Sequence, residues 1–147
     1  MAQKIKAYGI CIYKITNNKC EILLCKSINS QTKWGFLKGV ELEYETKEQT
    51  AIREFYEESS ILVKQSSLEE YFFQENETKD IGIFLVNYRN IKNIDNYFNN
   101  NILKEEYLNK ENSKVMFYSI NKQLPIKKKQ IKIYQKITNF LKNKYKI

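Results

Sequence analysis

Three glutamates, Glu54, Glu57 and Glu58, stand at positions i, i+3 and i+4. On a helix turning about 100° per residue they share one side. Like charges at this spacing destabilise an isolated helix by about 0.2–0.5 kcal/mol per pair. Lys47 and Arg53 offset part of that cost, and a divalent cation held by oxygen ligands offsets more. Magnesium prefers such ligands and keeps several of its waters. An ordinary solvated helix face has the same composition, so the spacing alone leaves two readings open, a metal seat or a wet surface. The chain has no histidine, which removes imidazole bases, imidazole zinc ligands and Ser-His triads together. Its three cysteines, Cys11, Cys20 and Cys25, lack metal-ligand spacing and lie in apolar stretches, as buried reduced thiols do.

The glutamates belong to a longer pattern. Gly39 is followed by five residues and then Glu45; seven more lead to Arg53-Glu54. Phe55, Tyr56, Glu57 and Glu58 follow, and Ile61 closes the run. This resembles the box of the Nudix family: Gly, five residues, Glu, seven residues, Arg-Glu, apolar, any, Glu-Glu, any, Gly, apolar. Every charged position matches. Ser60 stands where the family usually has Gly, a residue that often follows a helix end because φ > 0 is easy for it. The segment Trp34-Gly35-Phe36-Leu37-Lys38-Gly39 resembles the strand that enters the box, with Leu37 in place of the usual Pro.

The resemblance implies a loop–helix–loop that holds a metal against a diphosphate. Glu57 and Glu58 match the family's metal-binding pair, and Glu54 matches a position that serves as ligand or general base. The carbonyl of Lys38 matches a backbone ligand, while Gly39 allows close approach of the loop. Arg53 and Glu45 match a mainly structural pair in which the Arg orients the catalytic acids. The implied cofactor is magnesium, with manganese as the alternative ion. The implied reaction is attack of water on phosphorus, assisted by metal and a carboxylate base. Relatives such as dinucleoside tetraphosphate hydrolases carry a further Glu six residues before an aromatic. Glu111 stands six before Phe117, and Glu105 and Glu106 compete for the role.

Substrate contacts are harder to read. Aromatics that can stack a base include Tyr8, Phe72, Phe73 and Tyr118, with Trp34 and Tyr88 preferred. Lys6 and Lys33, with Lys26 and Lys79, are candidates for phosphates. The run Lys127-Lys128-Lys129 reads as a solvated helix start. The short domain, the AYGICIY opening and the approach to the box look most like dinucleoside polyphosphate hydrolases and bacterial RNA 5′-pyrophosphohydrolases. The expected substrate is a nucleoside or dinucleoside polyphosphate such as diadenosine tetraphosphate. The alternatives are an RNA 5′ end, or a non-catalytic nucleotide-sensing or RNA-binding module on the same scaffold.

The elements that must position these residues follow from patterning. Lys4–Ile15 and Glu21–Lys26 read as strands of a hairpin around an Asn17-Asn18 turn. Ser27–Lys33 reads as a loop, and Trp34–Gly39 as a short extended segment. Thr46–Ser59 is the clearest helix, opened by a Thr46/Gln49 capping box, with Ala51, Ile52 and Phe55 on its apolar face. Phe72-Phe73, Ile81–Tyr88 and Val115–Ile120 read as strands, and Asn90–Asn112 as an extended loop with a helical piece. Apolar residues at Ile133, Ile137, Phe140 and Leu141 predict a closing helix after Pro125. The expected fold is α/β (α+β), an α-β-α sandwich with a mixed sheet between helices, in one domain over residues 1–147. The net charge of +8 suits anionic partners and also simple solubility. No signal segment or membrane-length apolar run is apparent, so a cytoplasmic protein is expected, with oligomeric state left open.

Overall fold

The computed structural model describes residues 4–30 and 32–147. The expected Ser27–Lys33 loop therefore includes one position outside the described residues, as does the extreme N-terminus. The strands are β1 (Ile5–Thr16), β2 (Lys19–Ser27), β3 (Leu37–Val40), β4 (Tyr71–Gln74), β5 (Lys79–Asn87), β6 (Phe98–Asn99), β7 (Ile102–Leu103) and β8 (Asn112–Ser119). Two α-helices, α1 (Lys47–Ser59) and α2 (Ile131–Tyr145), lie among the described residues.

The seven residues from Ala7 to Tyr13 in β1 are all buried, which requires cover on both faces of the sheet. Side chains alternate across a strand, and the alternation divides the core. Tyr8, Ile10 and Ile12 join Leu23, Leu37, Ala51 and Phe55 beneath α1. Cys11 and Tyr13 join Ile22, Leu24, Ile83, Leu85, Ile133, Ile137 and Leu141 beneath α2. The result is the expected α-β-α sandwich. Its sheet is mixed: β1 runs parallel to β5 and antiparallel to β2 and β3. The strand order is β4-β5-β1-β2-β8-β7-β6, with β3 also on β1. The hairpin turn places Asn17 and Asn18 at φ 48° and 63°, the doubly positive geometry of a type I′ turn.

One edge of β1 is shared. Its end, Tyr13–Thr16, pairs with β2, while Ala7–Ile10 pair with β3. Where the partner changes, β3 presents Lys38 and Gly39. Gly9 lies opposite Lys38, and a Cβ on it would stand 2.1 Å from the Leu37 carbonyl oxygen, so only a residue without one fits.

The stretch 90–112 differs from expectation. It folds into 3₁₀ turns at Ile94–Tyr97 and Glu105–Tyr107 and into the short strands β6 and β7, which extend the sheet. Ile91, Ile94 and Leu103 explain the difference, because each is buried in the core under α1 and anchors an otherwise polar segment. The cysteines are free and buried, and burial raises the thiols of Cys20 and Cys25 to about 12, so both are unreactive. No helix among the described residues is long and apolar enough to cross a membrane.

Helix α1 ends at Ser60, which adopts φ 65°, ψ 7° and donates its N–H to the Tyr56 carbonyl. The left-handed conformation costs a residue with a Cβ about 1–2 kcal/mol, and among the described residues the Ser60 side chain makes no hydrogen bond in return. Ser60→Gly relieves that strain while adding freedom to the unfolded chain. We expect a net gain of about 0.5–1 kcal/mol in urea unfolding.

Candidate active site

Helix α1 begins with the expected capping box. Thr46 Oγ1 accepts from the Gln49 N–H at 3.1 Å, and the Gln49 side chain accepts from the Thr46 N–H at 3.0 Å. The residue just before it, Glu45, is folded back onto the helix. It accepts from Arg53 Nε at 2.7 Å and Nη2 at 3.0 Å, from Thr50 Oγ1 at 2.9 Å and from the Leu42 N–H at 2.8 Å. These bonds, Arg53 foremost, hold the Glu45 carboxyl down at about 2. The same guanidinium donates to the Val40 carbonyl at 3.0 Å, to Glu54 Oε1 at 2.8 Å and to Glu57 Oε1 at 3.2 Å. One cation thus ties the loop to the helix and orients two of the three acids.

Glu54 lies against the backbone of β3. A Cβ on Gly39 would stand 1.9 Å from its carboxyl carbon, so Gly39 serves close approach and not a special φ. Burial raises the Glu54 carboxyl above the ordinary range, with Arg53 opposing. Glu58 is only 9% exposed. Its Oε2 accepts from Asn112 Nδ2 at 3.0 Å, and its Oε1 is buried without a partner among the described residues. Burial raises Glu58 to about 7, with Asn112 opposing. Glu57 is exposed, and Asn109 Nδ2 donates to its backbone carbonyl at 3.1 Å. These groups open onto a cleft of about 350 Å³ lined by Lys38, Gly39, Val40, Glu54, Glu57, Glu58, Asn109 and Glu111.

Among the described residues no three Asp, Glu, Cys or His side chains close into a metal cage. The Arg53 bonds account for this, since they draw Glu54 and Glu57 toward the guanidinium. The site nonetheless fits a hard divalent ion. An orphaned buried carboxylate oxygen needs a partner, and every side-chain donor on the cleft other than Lys38 and Asn109 is a carboxylate, as magnesium or manganese prefers.

The structure sorts the remaining candidates. Glu111 lines the cleft, while Glu105 and Glu106 lie on a different turn and do not. Trp34 is not free to stack a base: it is 6% exposed, bridged to Ile126 and set edge-on to Tyr118 with centroids 4.7 Å apart. Tyr88 also misses the acidic cleft. Its ring packs on Phe117 at 5.5 Å, its hydroxyl donates to Asp95, and it borders a separate hollow with Lys14, Arg89 and Tyr145. Lys6 and Lys33 are exposed and line neither cleft that contains Lys38. Sequence reading missed Asn112, Asn109 and Thr50, whose only signal is closeness to Glu111 or Glu45 along the chain. It also missed the structural setting of Lys127–Lys129.

The NUDIX domain family profile matches residues 6–134. The chain belongs to that family and is a hydrolase acting on nucleoside diphosphate derivatives. No curated protein matches the sequence. Among solved structures, a C. elegans Ap4A hydrolase in a binary complex aligns with TM-score 0.64 at 22% identity, over 95% of this chain and 98% of that one. The NUDIX domain of Shewanella oneidensis NrtR, complexed with ADP ribose, aligns with TM-score 0.68 at 13% identity, over 96% and 90%. A MutT structure from work on Aliivibrio salmonicida and Vibrio cholerae aligns with TM-score 0.60 at 14% identity, over 94% and 98%.

The Glu45–Arg53 pair carries a pH signature. Its carboxyl is lowered from 4.5 to about 2, so its stabilisation is complete above the unfolded value and is lost as pH falls from about 4.5 through 2. Glu45→Gln is expected to cost about 1 kcal/mol at pH 7. Unfolding curves of variant and parent should converge near pH 2.

Proposed function

We propose that this chain hydrolyses nucleoside or dinucleoside polyphosphates, such as diadenosine tetraphosphate, with magnesium as cofactor. The observation that carries the reading is the buried, unpartnered Oε1 of Glu58 beside Glu54 on one cleft. Glu57, Glu58 and the Lys38 carbonyl would hold the ion, magnesium or manganese. Such an ion neutralises charge on phosphate oxygens and lowers the pKa of bound water.

The chain's own groups supply the rest. Glu54, raised by burial, is a stronger base than a free carboxylate and takes the proton of the attacking water. Glu111, exposed on the same cleft, is the second acid near the reacting phosphate. Arg53 positions Glu54 and Glu57 and does not touch substrate. Gly39 lets the substrate-facing loop lie flat against Glu54. Alignment of an Ap4A hydrolase over nearly the full length of both chains supports the dinucleoside polyphosphate reading. One domain spanning residues 1–147 and a cytoplasmic setting belong to the proposal, the latter supported by three buried free cysteines.

The test is turnover with magnesium on diadenosine tetraphosphate, nucleoside triphosphates, ADP-ribose and 5′-triphosphate RNA. We expect the fastest release of product from the dinucleoside polyphosphate, and a fall of at least about 100-fold in Glu57→Gln. Preference for the RNA would move the substrate to an RNA 5′ end. Absence of product from every compound, with tight nucleotide binding retained, would replace the enzyme with a sensor.

A further inference from the structure

Lys38 borders two clefts. Beyond the acidic one lies a second of about 310 Å³, walled by Lys38, Lys79, Lys127, Lys128 and Lys129 with Asn76 and Thr78 nearby. Among the described residues no carboxylate lines it. None of its five lysines takes part in a salt bridge among the described residues. A concave surface lined by one sign of charge focuses the field and concentrates anions.

The lysine run is also fixed in place, unlike a merely solvated helix start. The Lys127 N–H donates to the Trp34 carbonyl at 2.9 Å. The Lys129 carbonyl accepts from Gln74 Nε2 at 2.8 Å and Asn76 Nδ2 at 3.1 Å. Buried Gln130 accepts from the Phe36 N–H at 2.8 Å. Gln74 of β4, Asn76 beyond it and the segment Trp34–Phe36 that enters β3 therefore hold the turn from both sides, leaving the ammonium groups of Lys128 and Lys129 exposed. Each ammonium offers three donors, and phosphate oxygens accept them as charge-assisted hydrogen bonds.

We propose that this lysine-walled cleft seats the phosphates beyond the bond that is cut, so that the protein selects substrates by the length of their polyphosphate chain. The proposal rests on the hydrolase reading for the acidic cleft. A chain of phosphates held there passes Lys38, the residue common to both clefts, and continues toward Lys79 and Lys127–Lys129. A substrate with only two phosphates ends before that wall and gains nothing from it.

The anion seat can be measured without turnover. Inorganic tripolyphosphate and inorganic phosphate are titrated calorimetrically into metal-free protein. The comparison is between wild type, a Lys127→Gln/Lys128→Gln/Lys129→Gln variant, and a control losing the same charge at exposed Lys19, Lys64 and Lys92. We expect tripolyphosphate to bind at least about tenfold tighter than phosphate, and the cleft variant to lose at least about tenfold. The control should keep its affinity. Equal losses in the two variants, or none in the cleft variant, would overturn the proposal. In the kinetic arm, the cleft variant should raise KM for diadenosine tetraphosphate about tenfold and leave ADP-ribose unchanged. If wild type turns over neither compound, the functional reading fails while the binding comparison still decides the anion seat.

Discussion

The site depends on a single guanidinium. Arg53 reaches Glu45, the Val40 carbonyl, Glu54 and Glu57 at 2.7–3.2 Å. Without it, the loop between β3 and α1 keeps the Glu45–Thr50 tie to the first turns of the helix but loses the one to its middle, and three acids on one helix face repel one another. A planar fork with donors in fixed directions can satisfy several carboxylates at once, which a lysine ammonium cannot do with the same geometry. The arrangement concentrates negative charge and keeps it oriented, because the cation sits at one side of the cluster and leaves Glu58 outside its reach.

Everything else in the fold brings that helix against the right piece of backbone. Burial of Ala51 and Phe55 against Ile10, Ile12 and Leu37 sets α1 over the sheet. The change of partner along β1 lets β3 run beneath the helix, and the bare Cα of Gly39 admits the Glu54 carboxylate. Strand β8 closes the far side with Asn112, whose amide donates to the Glu58 carboxylate while its other oxygen has no partner among the described residues. Burial that leaves a carboxylate oxygen unsatisfied is costly. Under the proposed function, a hard cation at that oxygen would offset the cost.

Much of this was legible in the chain. The Thr46/Gln49 box, the Asn17-Asn18 turn and the 3.6-residue spacing of Ile133, Ile137 and Leu141 are local signals, and each formed as read. So did the register that joins Gly39, Glu45 and Arg53 to the glutamates, because a helix and its preceding loop carry that geometry in consecutive residues. Long-range facts were not legible. Spacing places Glu58 beside Glu54 but cannot say that Asn112 covers it from 54 positions away. Trp34 looked available because aromatic type says nothing about burial; its bridge to Ile126 and contact with Tyr118 come from the other end of the chain. The lysine run before α2 read as surface because the cleft beside it is built from β3, β5 and the turn together.

If buried Glu58 seats the divalent ion of the proposed function, metal binding must displace its proton, and that release can be counted. Calorimetric titration of manganese at pH 6, repeated in buffers of different ionisation enthalpy, counts the protons displaced. With Glu58 raised to about 7, the carboxyl is mostly protonated at pH 6 and must ionise to bind metal. The expected result is release of close to one proton at pH 6, little at pH 8.5, and weaker binding without release in Glu58→Gln. Metal binding of unchanged affinity and unchanged proton count in Glu58→Gln would contradict it.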